Sequence, residues 1–267
     1  MKLRWMVVLV AALLLMGVLP AVAQDDVLVT FTYGDFSFSY DPAIMGDVQA
    51  VEFEGDDPSA QLPGGADAPY IEFLFTNDEN TTAQSLFDVG GIRLYRVEDT
   101  APYIYMTPHI NAINTLMSGR VALEQFMQTN PDANTYALPF LPIMPAAQVI
   151  RARVGLLNLD TVGGISYLTA YRQEASPFTG DEFLYTFQGL STDNQYYVSA
   201  VFRLNTELFP TELPADFDMD AFIEGLQDYF AQSIDTLNAA TPDQFTPDLD
   251  MLDALFASFT FSAAAAN

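Results

Sequence analysis

Four segments follow one another with little between them: VIRARVGLLNL at 149–159, GISYLTAYR at 164–172, EFLYTFQGL at 182–190 and YYVSAVFRL at 196–204. Each is rich in β-branched and aromatic residues and is bounded by turn formers, which is how strands read. The connections are short. Thr161–Gly164 joins the first two, Pro177–Asp181 the second and third, and Asp193–Asn194 the last pair. Parallel strands need long crossovers, so links of this length predict an antiparallel meander.

Upstream, residues 27–33 and 36–40 read as a hairpin about Gly34–Asp35. Phe36, Phe38 and Tyr40 alternate with Ser37 and Ser39, giving one aromatic face. Asp41–Pro42 closes the hairpin, and strands are expected at 48–53, 70–76 and 92–98. Residues 55–69 form a loop of Gly, Pro and Asp.

The helical period takes over in three places. Thr107–Pro108 reads as an N-cap and first helical residue, opening a helix to about Gln128 that Gly119 weakens. From Asp218, the residues Phe222, Ile223, Leu226, Tyr229, Phe230, Ile234 and Leu237 share a face. After Thr246–Asp248, Leu249, Leu252, Leu255, Phe256 and Phe259 do the same, and Phe259–Phe261 closes the chain as a short strand. These elements predict one α+β domain over 24–262, a largely antiparallel sheet flanked by helices, with a frayed tail at 263–267.

Between the first helix and the meander lies LPFLPIMP at 138–145. Proline at every third position matches the turn of polyproline II. The segment reads first as a stiff strap laid over the core. Exposed instead, it would offer Phe140, Leu141 and Ile143 to a partner, so these are candidate binding residues.

The N-terminus has the layout of an export signal. Lys2 and Arg4 precede the uncharged run 5–19, then come Pro20 and an Ala21-Val22-Ala23 cleavage site before Gln24. Residues 1–23 are therefore expected to be removed, placing the protein in the periplasm, at the cell surface or outside the cell. Retention of the segment as a membrane anchor is the alternative. The chain has no cysteine, which removes disulfides, thiol nucleophiles and a lipid anchor.

Loss of Lys2 and Arg4 leaves seven arginines, no lysine and all 35 acids, taking the formal charge from −26 to −28. Nucleic acid and anionic membranes are repelled by such a surface, whereas a cationic or protein partner outside the membrane is attracted. A solubility surface is the simplest account of the charge. Arg151 and Arg153 sit two apart on a predicted strand, and so are expected on one face, where they would clamp an anion or tie down neighbouring acids.

No catalytic set stands out. His109 is the only histidine, and no Gly-x-Ser-x-Gly turn accompanies it. One histidine without cysteine does not make a catalytic zinc site, and no cofactor is implied. Asp216, Asp218 and Asp220 have the spacing of a calcium loop, but Ala221 and Gln227 stand where its Gly and Glu belong. Helix-start acids explain them better, and weak calcium binding stays a reading. Glu52, Glu54 and Glu72 on predicted strands keep a carboxylate hydrolase open as an alternative. A tyrosine-lined groove would suit carbohydrate or peptide.

The stretches YGDFSFSYDP (33–42), LPFLP (138–142), YTFQGL (185–190) and PDLDMLD (247–253) resemble a group of uncharacterised exported bacterial proteins. That group has no established activity to transfer. The opening hairpin, the YYVSA strand at 196–200 and the closing Ser258–Phe259 are also similar to the Mog1/PsbP-like fold. That resemblance implies an antiparallel sheet flanked by helices and used for binding, with residues 107–145 as an insertion.

Overall fold

The computed structural model describes residues 28–76, 85–119, 123, 137–212 and 217–262. The expected leader and tail, Asp216, Arg120 and nearly all of the expected helix beyond Gly119 lie outside these.

The meander forms as β6 (Ala147–Asn158), β7 (Val162–Arg172), β8 (Phe183–Ser191) and β9 (Tyr196–Thr206), every neighbour antiparallel. The large sheet continues through β5 (Gly91–Arg96) and β4 (Tyr70–Thr76) to β3 (Asp47–Phe53), while β10 (Phe245–Thr246) pairs with the far end of β9. Strand β8 is buried along its whole length, because both sheet faces are covered.

On one face lies a small sheet of β1 (Val29–Tyr33), β2 (Phe36–Tyr40) and β11 (Thr260–Phe261). Gly34, at φ +58, supplies the positive φ that a two-residue hairpin turn needs. The aromatic face of β2 packs downward. Phe36 and Phe38 are 1 % exposed and lie within 6 Å of the Phe73 ring on β4. Three helices share this face. They are α4 (Met219–Glu224), α5 (Leu226–Ala239) and α6 (Leu249–Ala257). Every member of the apolar set Leu249, Leu252, Leu255, Phe256 and Phe259 is buried. The Asp248 carboxylate caps α6 by accepting from Asp250 and Met251 N–H.

The helix expected from Asp218 is broken in two by Gly225. Burial begins only with α5, leaving Met219 and Ile223 exposed. Asp218 caps α4, as a helix-start acid should. Two short helices were not foreseen. Asp41–Pro42, read as a strand end, also starts α1 (Pro42–Met45), and a Ser85/Asp88 capping box starts α2 (Leu86–Val89).

The opposite face carries α3 (Thr107–Met117) and the proline strap. Met106, rather than Thr107, is the N-cap, and Thr107 is the first helical residue. Leu138, Phe140 and Leu141 are buried and Ile143 half-buried. Proline has no N–H, so the strap cannot join a β-ladder, and its remaining polar groups need side-chain partners. Leu138 N–H donates to the Gln148 Oε1 at 2.7 Å, and Leu141 N–H to the Gln188 Oε1 at 3.0 Å. Tyr167 donates to the Pro139 carbonyl at 2.8 Å, and the Ser199 hydroxyl to that of Leu141. Phe140 N–H donates to His109 Nδ1 at 3.1 Å. The only histidine thus works as a neutral acceptor holding the strap, and burial lowers its pKa.

Candidate functional site: a cleft under the first hairpin

The tip of the β1–β2 hairpin overhangs the sheet where β3, β4, β5 and the start of β9 run out, leaving a cleft of about 510 Å³. That is within the usual size of small-ligand sites. Ile71 and Leu94 line it from the sheet, and Tyr33, Phe36, Tyr196 and Phe261 from around it. Tyr196 and Phe261 stack at 5.1 Å and 14°. The polar lining is mostly carboxylate, with Asp35, Glu52, Glu54 and Asp99 against a single cation, Arg96.

Each wall is fixed by identifiable contacts. Asp35 is clasped by the residue after β11, for Ser262 N–H donates to its carbonyl at 2.7 Å and the Ser262 hydroxyl to its carboxylate at 2.8 Å. The Tyr33 hydroxyl donates to Glu52, and this bond holds the phenol proton on and raises its pKa. Arg96 pairs with Glu98 at 3.1 Å and places its guanidinium 5.5 Å from the Tyr196 ring centre.

Behind the cleft, on the other sheet face, sits a buried ionic knot. Arg93 donates through Nε to Glu72 at 2.6 Å and through a terminal nitrogen to Asp67 at 2.9 Å, with its guanidinium 4.1 Å from the Tyr70 ring centre. Tyr95 donates to Asp67 at 3.3 Å. Burial outweighs the attraction of Arg93 and pushes the Asp67 carboxyl up to about 6. Asp67 and Asp56 exchange bonds across the 55–69 loop, each backbone N–H being met at 2.9 Å. The knot therefore pins the loop whose flanks, Glu54 and Pro69, line the cleft.

Other hollows lie elsewhere, and two of them carry titratable side chains. One of about 890 Å³ is lined by Asp181, Glu207, Thr211 and Asp243 among others. The other, about 390 Å³, holds Arg153, Ser166, Tyr185 and Asp253. There Tyr185 donates to Asp253 at 2.6 Å, and burial raises the pKa of that carboxyl.

Most of the residues singled out beforehand do not converge on the cleft. Phe140 and Leu141 are inside the strap, so neither presents a side chain to a partner, and Ile143 lies beside them half-buried. Arg151 and Arg153 do not share a face. The ladder of β6 slips between Ala152 and Gly155, and Arg153 takes φ +53. This bulge re-aims the second arginine. Arg151 is buried opposite Thr169, while Arg153 reaches the other face and donates to the Ala240 carbonyl at 2.6 Å, closing the end of α5. Glu72, the third of the strand carboxylates, is buried against Arg93 on the other sheet face. Glu52 and Glu54 do reach the cleft. Tyr33, Arg96, Asp99 and Phe261 were missed, because no local spacing joins six separate segments. Among the described residues no group of His, Asp and Glu stands ready for a metal, and no helix is long and apolar enough to cross a membrane.

Compared with models of known protein families and with curated proteins, the chain matches none.

Proposed function

We infer that this protein is an exported, non-catalytic binding module whose ligand seats in the cleft under the first hairpin. One observation carries the reading. The cleft is a concave site with ring walls and converging polar groups, the usual form of a ligand seat. Export rests on the leader-like residues 1–23. The non-catalytic part rests on chemistry, for the chain has no thiol and its one histidine is committed to the strap.

The test is a thermal-shift screen of glycans, amines and short peptides on the chain from Gln24, with Ile71 and Leu94 methyl resonances as site reporters. A ligand at a hundred times its Kd contributes about 2.7 kcal/mol, which lifts Tm by roughly 5–10 °C in a domain this size. A hit should move those methyls and lose its shift in Tyr196→Leu. Hits that leave the methyls unmoved would refute the cleft as the seat. Turnover of a glycan, abolished by one Glu→Gln change, would refute the non-catalytic reading.

A further inference from the structure

We propose that the cleft takes a cationic nitrogen group, a guanidinium or an ammonium, carried by a free amine or by a basic peptide side chain. The proposal rests on the reading of the cleft as a ligand seat and names its ligand class.

Three observations lead there. The first is the inventory of donors and acceptors. Asp35, Glu52, Glu54 and Asp99 offer acceptors only. The side-chain donors are Arg96, already paired with Glu98, the Tyr33 hydroxyl, already spent on Glu52, and the Tyr70 and Tyr196 hydroxyls, which are few against the oxygens of four carboxylates. A ligand that satisfies this site brings donors, and a guanidinium brings five, an ammonium three. A sugar hydroxyl must be matched both ways, and the cleft is short of donors for it.

The second is the walls. Aromatic faces attract cations through their quadrupole, so rings and carboxylates here pull with the same sign. The third is that the chain shows the arrangement twice with its own arginines. Arg93 lies over Tyr70 between Glu72 and Asp67, and Arg96 lies over Tyr196 beside Glu98. In the second, Arg96 and Tyr196 line the cleft, and Glu98 lies outside it. Arg96 therefore acts as a resident cation at the mouth, half-occupying the position that a ligand would take. Around it the mature chain carries a formal −28, which draws cations toward the surface on which the cleft opens.

Calorimetry at two salt concentrations tests this with N-acetyl-arginine amide, its neutral citrulline counterpart, a triarginine peptide and a neutral oligosaccharide. The arginine amide should bind saturably and the citrulline amide should not. A much tighter triarginine complex identifies a peptide source, and equal affinities identify a free amine. Glu52→Gln with Glu54→Gln should weaken binding about tenfold, and Arg96→Gln should tighten it about threefold by vacating the Tyr196 face. Glu224→Gln with Asp228→Asn, exposed acids away from the cleft, should change affinity less than about twofold.

Equal weakening by the cleft pair and the remote pair would overturn the proposal, since the cation would then be a diffuse counter-ion. A neutral oligosaccharide that moves the Ile71 and Leu94 methyls while the arginine amide does not would overturn the ligand class and leave the cleft standing. No movement of those methyls by any probe would overturn both.

Discussion

Replacing Asp67 by Asn should remove a downward slope from the stability profile between pH 4 and pH 6.5. Asp67 lies in the knot with Arg93 and Tyr95, its side chain 21 % exposed, and burial pushes its pKa from 3.8 to about 6. In that window the native state still holds a proton that the unfolded chain has released. The native state binds more protons, so stability falls as pH rises through the window. A shift of about two units corresponds to about 3 kcal/mol lost between the two pKa values. Asparagine keeps an oxygen for the Tyr95 hydroxyl and does not titrate, while Arg93 keeps Glu72. Other carboxylates titrate in both proteins, so the difference between them isolates Asp67. Urea unfolding at pH 4.0, 5.0 and 6.5, with m held constant, measures it. Relative to D67N, the wild type should lose about 3 kcal/mol across the series. A flat difference would show that Asp67 titrates normally. A difference that rises with pH would show the Arg93 ion pair winning over burial, and the account of the knot would fail.

Two further expectations concern residues that join layers. Gln188→Leu strips partners from the Leu141 N–H and the Tyr197 hydroxyl inside the core, so it should cost about 2–6 kcal/mol by urea unfolding, at about 1–3 kcal/mol for each buried group left unpaired. Arg153→Ala removes the guanidinium from the Leu237 and Ala240 carbonyls at the end of α5 and should cost about 1–3 kcal/mol, with faster amide exchange in the last turn of that helix.

The strands were legible because alternation and turn residues are local. GISYLTAYR and YYVSAVFRL declare both their type and their antiparallel partners within a few residues. So does the burial of the strap, since Phe140 and Leu141 are too apolar to leave outside. What failed depended on register or on backbone. Nothing in the arginine side chain announces that residue 153 will adopt φ +53, and one bulge sends it to the opposite face from Arg151. Glu72 sits on a strand covered on both faces, and its partner Arg93 is reached only through the β4–β5 register. A lone Gly225 inside a helical pattern is tolerated as often as it breaks one, so it did not reveal where burial would stop. The cleft was the least legible of all. Its rings and acids come from the hairpin, the end of β3, β5, the start of β9 and the last strand, and only the packing of the small sheet on the large one brings them together.

That small sheet also sets an order of events. Strand β11 is the partner of β2, and the Ser258 hydroxyl accepts from Ser39 N–H at 2.8 Å across a separation of 219 residues. A ribosome delivers the first hairpin well before α6 and β11. Until then Phe36 lacks Phe259 and Phe261, and the hairpin has no third strand. Contacts this distant in sequence slow folding. The packing of the first hairpin thus waits on β11 and the residues just before it, which arrive after every other described element.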